Sequence, residues 1–261
     1  MNAVILCAGR GKRLIPLTDY IAKPLLPVNG KPIILHIIEN LNAVGIDEFI
    51  IVIGYKGKQI RRYLQKHIGE KIGIGNIIVR YVKQRNQLGT ADALKEAVPF
   101  VDDDFIVTAS DFIIFENDIK DLISMHFTEK CSATIPLRRL SAGRISEAST
   151  VKLDEDNFIS RIIEKPSRQE IIDNIAACPF YIFNRIVGEY ILLVEKSKRG
   201  EFEIPSAIQL MIEDNLKIKG LMIRRWVDLS DIYDFLRANF EYTDEIIGNN
   251  NGDIWDNIED S

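Results

Sequence analysis

Apolar positions along the chain fall into two rhythms. Ala3 to Cys7, Phe49 to Ile53, Ile77 to Val82 and Phe105 to Ala109 are short continuous apolar runs. Runs of that length, with no polar face, predict strands of a sheet covered on both sides. Between them, Lys31 to Val44 repeats Ile34, Ile37, Ile38 and Leu41 at helical spacing and stops at Gly45. Tyr55 to His67 reads as an amphipathic basic helix, and another helix starts at about Ala91. Strands alternating with helices predict a parallel sheet, and in such sheets ligands sit outside the C-terminal strand ends. The loop at Gly9, the run from Gln84 to Thr90, and Asp111 all fall on that rim.

From Ser132 onward the rhythm changes. Ser132 to Leu137, Thr150 to Leu153, Phe158 to Ile163 and Cys178 to Phe183 read as strands joined by polar turns, a mixed or antiparallel region. Helices follow at about Asn184–Val194 and Ile204–Glu213, then a strand at Leu216–Ile223. Trp226-Val227-Asp228 and a helix from about Ser230 to Tyr242 close the fold. The expected class is α/β: a Rossmann-like three-layer α/β/α fold with a mostly parallel mixed central sheet. Residues 1–245 form its one domain, and the acidic, Asn-rich stretch 246–261 reads as a flexible tail.

Composition narrows the classes. The chain has 261 residues, 46% hydrophobic and 27% charged, which is ordinary for a globular protein with a sizeable core. Its net charge of -5 speaks against general attraction to nucleic acid or membrane surfaces. Cys7, Cys131 and Cys178 form no CxxC pair and no even-numbered framework, which points to reduced thiols, with Cys7 packing the core. No apolar run approaches eighteen residues and no signal-peptide pattern opens the chain, so a cytoplasmic location is expected.

Candidate chemistry concentrates where the first strand ends. Ala8-Gly9-Arg10-Gly11-Lys12-Arg13 packs two glycines and three cations into one loop, and Lys23 follows between Ala22 and Pro24. Glycine lets backbone N–H groups approach an anion, and the cations match its charge, so the loop suits a polyphosphate. It is not a P-loop, because Leu6 and Arg13 stand where Gly and Ser or Thr are required. The dinucleotide fingerprint fails as well, with Leu14 in place of its third glycine. Asp111 ends a buried strand beside this loop, which suits Mg²⁺ with phosphate oxygens and water, or equally a cap. Glu164-Lys165-Pro166, taken by itself, is a charged turn.

In order along the chain, these motifs resemble the signatures of the sugar-phosphate nucleotidyltransferases. The opening run is similar to that family's AAG-x-GTRL-x-PLT and KP-x-LP-V-x-GKP pattern, with Lys12 where Thr or Ser is usual. The resemblance spans about Met1 to Ala238 and implies nucleotidyl transfer from a nucleoside triphosphate to a sugar 1-phosphate. It divides the domain into a nucleotide-binding part at about 1–130 and an acceptor-binding part at about 131–245. It implies nucleotide contacts at Ala8, Gly9, Gly11, Arg13, Lys23, Gln84, Gly89 and Thr90, and acceptor contacts at Glu164 and Lys165. Arg13, Lys23 and Lys165 would act on the reacting phosphates, and Asp111 with Asp228 of the W-x-D element would hold Mg²⁺. An amide at Gln84 offers a donor and an acceptor to a base edge, and Gly89 would let the base lie flat. The run Leu88-Gly89-Thr90-Ala91 is nearer to guanylyl- and uridylyl-transferring members than to thymidylyl ones, leaving UTP, dTTP and GTP as the favoured nucleotides.

Two stretches depart from the family pattern where it holds the sugar. Ala148-Ser149-Thr150 replaces Tyr-Gly-Val, and Ala177-Cys178-Pro179-Phe180-Tyr181 replaces an Asn-Ala-Gly-x-Tyr run. The alternatives are therefore a silent regulatory or assembly subunit, or a transferase acting on a non-sugar phosphate such as phosphocholine or a polyol phosphate. Asp102-Asp103-Asp104 precedes its strand and reads as a solvated turn; His36, His67 and His126 lack metal-ligand spacing and read as helix-face residues. The basic face around Arg61-Arg62 reads as solvated, and the Ile-rich helices permit a homo-oligomer.

Overall fold

The computed structural model describes residues 1–68, 77–141 and 143–247, with the backbone alone over 241–247. In the first half, strands β1 (Asn2–Cys7), β2 (Glu48–Ile53), β3 (Ile78–Lys83) and β4 (Asp104–Ala109) are wholly parallel, in the spatial order β4-β1-β2-β3. Helices α1 (Ile33–Asn42), α2 (Gly57–His67) and α3 (Thr90–Ala97) connect them. Alternation along β1 explains the layers. Ile5 and Cys7 face a core shared with α1 and α2, whereas Val4 faces a core shared with α3. Ile33, Ile34, Ile38 and Leu41 of α1 are at most 1% exposed, each contributing about 1.5–3 kcal/mol by burial. A rigid helix thus backs the glycine loop.

After β5 (Phe112–Ile114) comes α4 (Glu116–Glu129), a helix the apolar pattern does not announce. Its buried stripe is interrupted by Asp118 and His126, both buried polar residues, so the periodicity is blurred. Next come β6 (Ala133–Arg139), β7 (Ser149–Leu153), β8 (Ile159–Glu164), β9 (Ile175–Ala177) and β10 (Phe180–Asn184). Helices α5 (Val187–Leu193) and α6 (Ile204–Glu213), strands β11 (Ile218–Met222) and β12 (Trp226–Asp228), and α7 (Ile232–Ile247) complete the chain.

The mixed sheet runs β8-β7-β9-β6-β10-β4-β1-β2-β3, with β11 parallel to β6. Antiparallel β10 joins the halves, pairing with β4 and β6. The stretch Cys178 to Phe183 is not one strand. Pro179 has no N–H for a ladder, so β9 stops at Ala177 and β10 restarts at Phe180. Similarly, α1 begins at Ile33 instead of Lys31, because Lys31–Pro32 pairs with Pro27–Val28 in a short ladder. Helix α7 reaches Ile247, two residues into the stretch read as tail; 248–261 lie outside the described residues. Among the described residues no helix is long and apolar enough to cross a membrane.

Candidate active site

A cleft of about 500 Å³ opens at the C-terminal ends of β1 and β4. Its lining includes ten of the twelve residues singled out from sequence: Ala8, Gly9, Gly11, Arg13, Lys23, Gln84, Gly89, Thr90, Asp111 and Lys165. The parallel strands β1, β3 and β4 end at one rim, and the turn after antiparallel β8 brings Lys165, 157 positions from Ala8, to the same cleft.

The loop after β1 is pinned from below. Ala8 is buried, and its carbonyl accepts the Tyr55 N–H at 3.1 Å. Gly11 has φ +68, and its carbonyl accepts the Thr18 hydroxyl at 2.9 Å. A Cβ at Gly11 would stand 3.0 Å from Thr18 Cγ2 and 3.2 Å from Lys23 Cβ, so glycine lets the Lys23 stem pack close. Lys23 then places its ammonium 2.5 Å from Asp111 Oδ2 across the cleft floor. Arg13 is half exposed, 3.3 Å from Glu147 Oε2. Arg13 thus stands at the rim and Lys23, 11% exposed, deeper in the cleft.

The loop after β3 is more constrained than its composition suggests. Gln84 is 3% exposed, and its amide nitrogen donates to Gly89 O at 3.1 Å and Asp92 Oδ2 at 2.7 Å. Both amide hydrogens are therefore spent inside the protein, and only Oε1 is left to face a base. Gly89 has φ +125, and a Cβ there would stand 2.2 Å from the Phe202 carbonyl oxygen. Its absent side chain makes room for backbone: Ala91 N–H donates to Phe202 O at 3.0 Å, and Phe202 N–H to Leu88 O at 2.7 Å. The segment after α5 is thereby stapled to the loop after β3, and its Glu201 lines the cleft.

Two candidates lie beside the cleft. Glu164, at the end of β8 opposite Ser149, accepts a hydrogen bond from the Ser149 hydroxyl and has Arg199 Nη1 at 3.8 Å. With Lys165 it lines a neighbouring cavity of about 530 Å³. Lys165 borders both cavities and has φ +43, a left-handed conformation that costs a non-glycine residue about 1–3 kcal/mol. Asp228 pairs with Phe112 in the β5–β12 ladder, directly after Asp111, and Leu229 N–H donates to Asp111 O at 2.9 Å. Both of its carboxylate oxygens are engaged, Oδ2 by Arg138 Nη2 at 2.7 Å and Oδ1 by the Ser230 hydroxyl at 2.7 Å. Burial pushes the Asp228 carboxyl up, but the Arg138 guanidinium more than offsets it and holds the group below the usual carboxylate range.

The remaining singled-out groups are structural. Burial raises the thiols of Cys7, Cys131 and Cys178, the last to about 12, consistent with packing. His36 Nε2 donates to Val28 O at 2.9 Å, and His126 sits between Thr134 and Asp104. Sequence reasoning passed over Arg138, whose signal was a charge ending the otherwise apolar run of β6, and over Ser110, Gln87, Glu201 and Ser230 of the cleft wall.

Residues 2–245 match the family model described as nucleotidyl transferase. The chain is 32% identical to the bifunctional protein GlmU of Methanococcus maripaludis over 259 residues, 99% of this chain and 58% of that protein. It is 31% identical to the UTP–glucose-1-phosphate uridylyltransferase AglF of Haloferax volcanii, covering 87% of this chain and 89% of that one. The chain spans just under three fifths of the length of the GlmU proteins it matches. Among solved structures, a UDP-glucose pyrophosphorylase in complex with UDP-glucose superposes with TM-score 0.84 at 19% identity, covering 94% of this chain and 98% of that one. A putative glucose-1-phosphate thymidylyltransferase from Bacillus anthracis superposes with TM-score 0.80 at 26% identity, covering 94% and 96%.

Proposed function

The chain belongs to the nucleotidyl transferase family, and we propose that it transfers a nucleotidyl group from a nucleoside triphosphate to a sugar 1-phosphate, releasing pyrophosphate. The observation that carries this reading is the single cleft in which the glycine loop, Arg13, Lys23, Asp111 and Lys165 converge. The acceptor phosphate, with a second pKa of about 6, is largely dianionic near neutral pH and needs no general base. One of its oxygens attacks the α-phosphorus; the bond to the α–β bridging oxygen breaks, and pyrophosphate leaves with the electron pair. Catalysis is then positioning and charge neutralisation. Arg13 at the rim meets the departing pyrophosphate, Lys23 on the floor meets the α-phosphate, and Lys165, shared by both cavities, aligns the acceptor phosphate.

Asp111 fits a divalent cation, since a single carboxylate on the cleft wall beside substrate phosphates suits Mg²⁺. Asp228 would complete that site only by exchanging Arg138 for the metal. When bound, Mg²⁺ supplies charge neutralisation at the α-phosphate. The Gln84 Oε1 acceptor can take an N–H from the edge of any of the five bases, so the preference for UTP, dTTP or GTP rests on the likeness of Leu88-Gly89-Thr90-Ala91 to the family's loops. The named activity of AglF supports UTP with glucose 1-phosphate as the first pair to test.

A second reading, a non-sugar acceptor phosphate, is favoured by one observation: Ser149, within the stretch that departs from the family pattern, occupies a Glu164 oxygen. Pyrophosphate release with Mg²⁺, five nucleoside triphosphates and a panel of sugar 1-phosphates separates the two. Release requiring one sugar phosphate establishes the first reading. Nucleotide binding with silence across the sugars, and release with phosphocholine or a polyol phosphate, establishes the second.

A further inference from the structure

Behind the nucleotide cleft, the end of β6, β12 and α7 enclose a separate cavity of about 180 Å³. Arg138, Arg144, Trp226, Asp228 and Asp234 are among its lining residues. Arg138 is 6% exposed, with its guanidinium 5.4 Å from the Trp226 ring centre and 5.7 Å from that of Phe112. It gives Nη2 to Asp228, while its Nε is buried without a hydrogen-bond partner. Arg144 likewise engages Asp234 through Nη2, at 3.0 and 3.3 Å. Among the described residues, no hydrogen bond uses Nη1 of either arginine or Nε of Arg144.

We propose that this cavity is a small-oxyanion site, seating a phosphate or carboxylate group on Arg138 and Arg144. Two guanidiniums on one cavity, each with an Nη1 that no hydrogen bond among the described residues uses, present the paired donors that oxyanions accept. The size sets the class. About 180 Å³ is the liquid volume of about six waters, enough for one anionic group and below the usual range for nucleotide-sized ligands. The two carboxylates do not forbid it. Asp228 is already paired with Arg138 and Ser230, and Asp234 with Arg144 and Arg237. Asp228 and Ser230 connect this cavity to the cleft, since Ser230 lines the cleft wall.

The test is calorimetric titration of the full chain with inorganic phosphate while a saturating α,β-methylene nucleoside triphosphate fills the cleft. Phosphate should still bind. Arg144→Gln should weaken it at least tenfold with nucleotide affinity unchanged, and Asp234→Asn, which removes a competing charge, should tighten it severalfold. Loss of phosphate binding on filling the cleft, or equal affinity in the wild type and both variants, overturns the site. A second arm, resting on the proposed activity, compares glucose 1-phosphate with glucuronic acid 1-phosphate. A preference for the uronate that Arg144→Gln erases names an acceptor carboxylate as the occupant; equal use leaves free phosphate. Absence of any transfer would sink the proposed activity while leaving the titration to decide the site.

Discussion

The two halves of this molecule treat their charged side chains differently. Around the nucleotide loop, Arg13 sits half exposed at the rim, and among the described residues its side chain is held only by a surface pair with Glu147. In the acceptor half, Glu164 is bonded by Ser149, Asp228 by Arg138 and Ser230, and Asp234 by Arg144 and Arg237. The first half presents charge to whatever enters; the second has already matched most of its own. A triphosphate can therefore meet Arg13 by reorientation and has one internal pair to exchange, Lys23 with Asp111, whereas an acceptor must replace several internal partners or use the donors they leave over. That difference places acceptor selectivity in the exchange of partners, which is where variants test it.

The largest effect should come from the most buried pair. Arg138→Met leaves the Asp228 carboxylate buried and unpaired, a loss of about 3–5 kcal/mol in unfolding free energy at neutral pH. The sign with pH is specific. In the wild type the Asp228 pKa is lowered, so its stabilisation is present above the ordinary carboxylate range and lost as pH falls through its folded value. In the variant, burial without a cation raises that pKa, so the deficit should shrink as pH falls from 7 towards 5. Urea denaturation of both proteins at the two pH values reads this directly. A deficit independent of pH would mean that lost packing against Trp226 and Phe112 dominates.

On the nucleotide side, Asp111→Asn removes the carboxylate paired with Lys23 on the cleft floor while keeping its shape. Turnover should fall about 10²–10³-fold, or about 3–4 kcal/mol at the transition state, with nucleotide binding reduced far less. Near-normal turnover would move the metal site away from Asp111. Gly89→Ala comes next. A methyl group 2.2 Å from the Phe202 carbonyl, at φ +125, should cost about 1–3 kcal/mol of stability and raise the KM for nucleotide by detaching the Phe202 segment. Because the clash is with the Phe202 backbone and displaces a wall of the cleft, the variant should lose affinity for all triphosphates alike.

These positions also show what the sequence could and could not carry. The parallel block was legible because a strand buried on both faces writes a continuous apolar run, and because loops at one strand end must share a rim. The cleft followed from that geometry once the glycine loop was placed. Pairings between distant side chains leave no such trace. Nothing adjacent to Arg138 in the chain points to Asp228, 90 positions away, and the Gln84 amide looked bifunctional until Asp92 and Gly89 took both of its hydrogens. Gly89 itself was legible as a requirement, but the reason, a backbone from the far half of the chain, was not. Helix α4 was hidden by the same kind of partner, since its buried His126 reads as polar until Thr134 and Asp104 are beside it.

The smallest effect should sharpen the contrast most. Ser149→Ala removes one hydroxyl that donates to Glu164 and leaves the strand pairing of β7 with β8 untouched. If Glu164 serves only to hold the sheet together, the change costs one hydrogen bond, about 1 kcal/mol, seen in stability alone. If Glu164 receives acceptor hydroxyls, the wild-type serine competes with the substrate for the same oxygen. The variant should then lower the KM for a hydroxyl-rich acceptor by a few-fold, with kcat and the KM for nucleotide unchanged. The two outcomes have opposite signs on different axes, so a stability curve and one acceptor titration distinguish them. A drop in acceptor KM would show that this half restrains its site by pairing Glu164 internally, and that the Ala148-Ser149-Thr150 stretch sets how readily that pairing is exchanged.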